Sequence, residues 1–366
     1  RSGARSTKIH ALATDGNEAV ISAPDRDFNI VIVGGGSAGI ATAASIFKRN
    51  RKVSLAIIEP SAEHFYQPGW TMVGGGVFSK EFTRKAEKNL IPERADWIQS
   101  SVATFEPDEN KVTLCDGVRI GYDLLIVCPG IKLNWEAIDG LPDTLGKNGV
   151  TSNYGYSLAP YTNRLVKNMT SGRALFTQPP MPIKCAGAPQ KAMYLSCYRW
   201  EKSGVLPDID VQFHNAGGVL FGVDAYVPAL MEYIERYGAN LNFTSNLVAI
   251  DGSQKVATFE QKDGATIKRV EEEFDMIHVV PPQCAPDFIR CSPLAGEGGF
   301  VDVDQATLRH AKYSNIFSLG DASSAPNAKT MAAARKQAPV VAVNALSVLD
   351  GGEPVAEYDG YGSCPL

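Results

Sequence analysis

The sequence predicts an α/β chain of two doubly wound domains, and three observations carry that prediction. A continuous apolar run at 28–33 leads into a glycine-rich turn, an Ala-rich helix-prone stretch at 37–48 and a second apolar run at 53–58. Strand-like and helix-like segments then alternate a second time from Gly149 onward. A last short strand at 315–319 precedes a helical stretch at 329–349, which returns the chain to its first unit. Short apolar runs bounded by glycine or proline mark strands buried on both faces, as parallel strands between helix layers are.

Taken in order, 28–33, 37–48 and 53–58 form one strand–helix–strand unit, and 122–128 is a further buried strand that stops at Pro129-Gly130. In the second unit, 173–177 reads as a strand, followed by a proline-rich turn and a helix from about Pro189. A strand at 211–214, an amphipathic helix at 225–237 and a strand at 241–244 follow. Runs at 256–259 and 266–270 bracket Lys262-Asp263-Gly264, a hairpin signal. The run 275–280 is a strand that ends at Pro281-Pro282, and the helix at 329–349 is expected to bend at Pro339. The second unit reads as an insertion: residues 1–27 form an extension, 28–141 and 300–366 one domain, and 142–299 the other. No internal repeat is present.

Composition narrows the function. The chain has 366 residues, 44% hydrophobic and 20% charged, with material for sizeable cores. Its net charge is −5, with 35 basic and 40 acidic residues and no basic run, which argues against a nucleic-acid partner. No apolar stretch is long enough to cross a bilayer, so the chain is expected to be soluble or, at most, attached to one membrane face. The stretch 1–14 carries Arg1, Arg5 and Lys8 and no acid, compatible with the remnant of a mitochondrial transit peptide and equally with a disordered extension. Seven cysteines without a C-x-x-C do not form a secreted disulfide scaffold, and none has zinc-ligand spacing, so no metal site is expected. Cys115, Cys197, Cys284 and Cys291 read as small core or surface residues, and Cys128 as packing.

Gly34-Gly35-Gly36-Ser37-Ala38-Gly39 fits G-x-G-x-x-G. Gly34 permits the tight turn, Gly36 lets backbone approach a pyrophosphate, and Gly39 lets the helix pack close to the strand. The helix that opens at Ser37 and Ala38 presents free N–H groups to phosphate. Glu59 ends the next strand at about the expected 20 residues, where its carboxylate can accept from ribose hydroxyls. At the far end of the chain, 315–319 leads to Gly320-Asp321, where Asp321 can bond a flavin's ribityl chain. The following helix, near Lys329-Thr330, can set its N-terminus and a cation beside the flavin pyrimidine and favour an anionic reduced flavin. Together these segments resemble the two-dinucleotide-domain flavoproteins related to glutathione reductase, which implies two Rossmann-like domains and FAD.

The second domain lacks such a fingerprint. Its first strand runs into Gln178-Pro179-Pro180-Met181-Pro182-Ile183-Lys184-Cys185, with prolines where a phosphate loop needs glycines and N–H donors. This argues against an NADH-using enzyme. Cys185 stands between Lys184 and Lys191, just ahead of a helix that Pro189 suits, a setting that favours thiolate. A structural cysteine in a tight loop fits these residues equally well.

The chain resembles the sulfide:quinone oxidoreductases of mitochondria and some bacteria. The likeness rests on the GGGSAG turn, Glu59-Pro60, His64-Phe65-Tyr66-Gln67-Pro68, the KCAGAPQK segment at 184–191, Gly320-Asp321, and Tyr358 through Cys364-Pro365-Leu366. It implies that Cys185 and Cys364 are the redox-active pair, and that Gln67, Val102, Gly130 and Lys329 join Glu59 and Asp321 around FAD. It implies hydrogen sulfide attacking a Cys185–Cys364 bridge, preferably at Cys364, a persulfide there, and a thiol such as glutathione, or sulfite, as sulfur acceptor. Electrons pass through FAD to a quinone, ubiquinone in mitochondria, at the inner membrane or at a bacterial membrane. The family continues past Cys364 into a membrane-contacting region that this sequence does not contain. Three alternatives stay open: a flavocytochrome-type sulfide dehydrogenase, a type II NADH dehydrogenase, and a non-catalytic truncated flavoprotein.

Overall fold

The computed structural model describes residues 24–326 and 329–366; the basic stretch at 1–14 lies outside them. The first sheet has seven strands. Arg26–Val33 is central, parallel to Leu55–Ile58 on one side and to Arg119–Val127 on the other, with Asp96–Ile98 beyond Leu55–Ile58. Ile30, Val31 and Ile32 are fully buried, which is why this run shows no alternation of polar and apolar residues. The long strand Arg119–Val127 forks. Its first half pairs antiparallel with Lys111–Leu114, which pairs on with Val102–Glu106. Its second half pairs in parallel with Ile316–Ser318. The helices Ser37–Arg49 and Met331–Leu349 pack on each other against this sheet. Met331–Leu349 runs on through Pro339, where a bend was expected.

The second sheet is parallel throughout, in the order Val150–Thr151, Met276–His278, Gly172–Gln178, Ile209–Asn215, Asn240–Asn242. The helices Ala188–Ser203 and Val227–Tyr237 share its core with Phe176, Trp200 and Phe213. A separate three-stranded antiparallel sheet contains the expected hairpin. Its strands Val256–Asp263 and Thr266–Glu273 run longer than expected and turn at Gly264-Ala265, because Lys262 and Asp263 pair with Ile267 and Thr266.

The passage between the two bodies is a two-stranded connector in which Lys132–Leu133 pairs antiparallel with Gln283–Cys284. Leu141 packs with Ile138 and Val150 in the second body, whereas Ile289 and Leu294 pack in the first. The outgoing and returning passes are the strands Lys132–Leu133 and Gln283–Cys284, which precede Leu141 and Phe300. The last residues, after Leu349, form no regular element. Buried Asn344 holds them in place: its Nδ2 donates to Ala356 O at 2.8 Å, and its Oδ1 accepts from Val355 N at 2.9 Å and Ala356 N at 2.7 Å. Tyr358 then inserts into the first core. This anchoring brings the segment carrying Cys364 onto the second body.

Candidate active site

The glycine-rich turn has the geometry its sequence requires. Gly34 has φ 105°, and a Cβ there would lie 2.6 Å from the Cys128 carbonyl oxygen. A Cβ on Gly39 would lie 1.9 Å from the Gly34 carbonyl oxygen, so only hydrogen fits at either place. Gly36 and Gly130 differ: a Cβ on either would meet nothing within 4 Å, which leaves an open cradle beside the turn. Gly36 caps the helix with no side-chain hydrogen bond, and the first turn, with Ser37 and Ala38, carries no acid. Its N–H groups lack intrahelical acceptors and face that side. The Glu59 carboxylate is aimed by Gly35 N–H into Oε2 at 2.9 Å and Ser61 N–H into Oε1 at 2.8 Å. These residues fit a dinucleotide.

The far end of the chain meets this turn. A Cβ on Gly320 would lie 3.3 Å from Ala38 Cβ, which places Asp321 beside the helix start. Burial raises the Asp321 carboxyl, and Lys329 and Lys184 partly oppose that. Lys329 lies before the helix, whose N-cap is Thr330. Its ammonium donates to the Asp321 and Ser323 carbonyls at 2.8 and 2.9 Å and lies 4.1 Å from the Phe300 ring. Burial pushes Lys329 and Lys184 each down to about 8, against the pull of Asp321. Lys184 donates to Gln67 Oε1, and its Nζ stands 5.8 Å from the Trp70 ring and 5.6 Å from the Tyr154 ring. Val102 is buried in its strand. Cys128 lies under the turn, its thiol 3.6 Å from Gly34 O and pushed up to about 12 by burial, which suits packing.

Cys185 and Cys364, 179 residues apart, have sulfurs 2.7 Å from each other, and both are free thiols. Cys185 adopts φ 56°, a left-handed conformation that costs a non-glycine residue about 1–2 kcal/mol. Its N–H donates to Lys329 O at 2.8 Å, so the loop of one body pairs with the other. A hydrogen bond from Cys364 and the nearby Lys191 ammonium (Nζ to Sγ 3.5 Å) lower the Cys185 thiol despite burial. The Cys364 thiol is raised by that same hydrogen bond and by burial. Gly187 N–H points at Cys364 Sγ at 3.3 Å. These surroundings favour the thiolate at Cys185 and the proton at Cys364.

The second body turns its helix N-terminus to this use. The strand Gly172–Gln178 ends well before the helix begins at Ala188, and prolines fill the gap. A pyrophosphate loop needs strand, short glycine turn and helix in close succession; here the N–H of the N-cap residue Gly187 faces the Cys364 sulfur instead. Sequence reasoning missed Tyr154, whose hydroxyl donates to Lys184 O at 3.0 Å and whose ionisation is opposed by burial and then by the charge of Cys185 and Cys364. It also missed the tail anchor Asn344. Neither carries a motif. Cys115, Cys197, Cys284 and Cys291 have no part in this cluster, and no metal-binding group of side chains occurs among the described residues.

No family model matches the chain. It is 44% identical to the mitochondrial sulfide:quinone oxidoreductase of Dictyostelium discoideum over 341 residues, 92% of this chain and 74% of that protein. A chain of the Tetrahymena thermophila mitochondrial ATP synthase assembly is similar in fold, with TM-score 0.82 and 22% identity over 98% of this chain and 86% of that one. The sulfide:quinone oxidoreductase of Aquifex aeolicus has TM-score 0.77 and 19% identity over 89% of this chain and 77% of that one. At these identities the solved structures speak for the fold alone.

Proposed function

The chain belongs to the mitochondrial type of sulfide:quinone oxidoreductase, an oxidoreductase family, and from that premise we propose that it oxidises sulfide at Cys185 and Cys364 with FAD as its flavin. The first sheet, with its returning strand, is the FAD-binding body; the second carries Cys185. Gly34, Gly36, Ser37, Ala38 and Gly39 take the pyrophosphate, Glu59 the adenosine ribose, and Asp321 the ribityl chain. Gln67, Val102, Gly130 and Lys329 complete the enclosure, with Lys329 and Lys184 offering positive charge toward the flavin ring.

The observation that most supports this reading is the approach of two distant thiols at one helix start beside a lysine. In the oxidised protein these sulfurs form a bridge. Hydrosulfide attacks Cys364 Sγ, the S–S bond breaks, and Cys185 leaves as thiolate, the role its lowered pKa suits. Cys364 now bears a persulfide. A thiol or sulfite takes the outer sulfur and leaves Cys364 as a thiol. The bridge then re-forms between the two thiols, releasing two electrons and two protons. Bound flavin supplies a two-electron acceptor that passes the pair to quinone. The relatives' mitochondrial naming supports a mitochondrial site of action, and the inner membrane is the place within it that a quinone acceptor would require. Among the described residues no helix is long and apolar enough to cross a membrane.

The test is anaerobic mixing of the oxidised protein with sulfide. With sulfide alone a persulfide mapped by mass to Cys364 is expected, and the flavin absorbance bleaches when sulfite is then added as the sulfur acceptor. The added sulfur on another residue, or on none, contradicts the assignment.

A further inference from the structure

We propose that Tyr154 is a positioning residue for the thiol pair: its hydroxyl holds the peptide in front of Cys185 in the orientation that turns the Cys185 sulfur toward Cys364. This rests on the two-thiol reading above. The hydroxyl donates to Lys184 O at 3.0 Å, and on the other side of the same peptide the Cys185 N–H donates to Lys329 O at 2.8 Å. The next carbonyl, Cys185 O, accepts from Ala188 N at 2.9 Å. Both peptides that flank the Cys185 Cα are therefore fixed, with φ at 56°. A residue other than glycine stays in that left-handed region only where its surroundings hold it there. Of these three holds, the Tyr154 hydroxyl is the one supplied by a side chain.

Tyr154 is itself built in. It is buried, its ring packs with Ala188, Val280 and Cys185, and its N–H donates to buried Ser152 Oγ at 3.0 Å. The N–H of Asn153 donates to Nε2 of buried His278 at 2.9 Å. The hydroxyl thus carries the position of the second sheet's edge to the cysteine loop. Burial, and then the charge of Cys185, Cys364 and Asp321, raises the hydroxyl, so it keeps its proton and remains a donor while the thiols titrate. Its hydrogen bond ends on backbone, so an effect of its loss on either sulfur passes through the loop. Tyr154→Phe removes the hydroxyl and keeps the ring in its packing. Loss of one such hydrogen bond shifts a conformational equilibrium about tenfold.

The experiment compares flavin-loaded Tyr154→Phe with wild type. Without sulfide, the Cys185–Cys364 bridge is equilibrated anaerobically with glutathione redox buffers, and the pH profile of Cys185 alkylation, mapped by mass, is recorded on the reduced protein. A thermal melt and steady-state sulfide oxidation with a short-chain quinone complete the set. The bridge is expected to be about tenfold less stable against glutathione. The alkylation profile is expected to move to higher pH, because the hydrogen bond from Cys364 that lowers the Cys185 thiol lengthens. The kcat is expected to fall about tenfold with KM for sulfide within about threefold, since the hydroxyl touches no substrate. The melting temperature is expected within about 5 °C of wild type. A lowered melting temperature with the bridge equilibrium and the alkylation profile unmoved makes Tyr154 merely structural and overturns the proposal. A variant that does not fold or does not keep its flavin assigns the hydroxyl to the fold as a whole and overturns it too. If wild type forms no Cys185–Cys364 bridge, the two-thiol reading itself falls and takes this inference with it.

Discussion

Replacing Gly187 by alanine tests the thiol geometry without touching a thiol. Gly187 has φ −88° and ψ −10°, a conformation open to alanine, so the backbone is not strained. The added Cβ would lie 2.7 Å from Cys364 Sγ and 2.5 Å from Leu366 Cδ2. The leucine tip can swing aside. The sulfur must retreat by roughly 1 Å, because such contacts settle at about 3.5–4.0 Å. That retreat opens the 2.7 Å approach to Cys185 and lengthens the Gly187 N–H contact of 3.3 Å. A displacement of about 1 Å between reacting atoms costs on the order of a hundredfold in rate, or about 2.7 kcal/mol of barrier. Folding stability should fall by no more than about 1–2 kcal/mol, the usual difference at a helix N-cap. Steady-state sulfide oxidation with a short-chain quinone, flavin content and a thermal melt measure all three. A Gly187→Ala protein that turns over within about threefold of wild type refutes the argument that this glycine makes room for Cys364.

Lys191→Met should move Cys185 back toward an ordinary thiol, since the ammonium favours the charged form. The pH profile of Cys185 alkylation should shift to higher pH, with less thiolate at neutrality; an unshifted profile contradicts the role given to Lys191. His214 and His278 are each pushed down to about 4 by burial. Unfolded histidine titrates near 6.5, so between these values the unfolded chain binds protons that the fold does not. Stability therefore rises with pH across that window and is lost on acidification from about 6.5 to about 4, by up to roughly 3 kcal/mol per ring. Urea midpoints across this range should show a flatter slope in His278→Gln than in wild type. NADH should leave the flavin oxidised on the catalytic timescale, given the prolines between Gln178 and Ala188; rapid reduction in a stopped-flow trace counts against the reading of the second body.

What the sequence made legible is what local physics decides. The run 28–33 announces itself because it is buried on both faces, and Gly34 and Gly39 because backbone crowding at the turn admits no Cβ. Cys185 could be placed at a helix start because Pro189 suits the first turn. Long-range choices were not legible. The strands Val102–Glu106 and Lys111–Leu114 are short, and they exist because Arg119–Val127 offers Lys111–Leu114 an edge, which offers the next to Val102–Glu106. The tail after Leu349 has no periodicity, and its course is set by Asn344 and by Tyr358 entering the core. Tyr154 matters through what folding places around it, which no spacing along the chain encodes.

The most direct test is sulfide turnover by Cys185→Ser and Cys364→Ser proteins that retain their flavin. Serine keeps the size of the side chain but does not take part in thiol–disulfide exchange. Both variants are expected to carry a wild-type flavin content and to reduce quinone with sulfide at background rate only. Either variant oxidising sulfide at near the wild-type rate, with its flavin bound, contradicts the central claim that this pair of sulfurs carries the reaction.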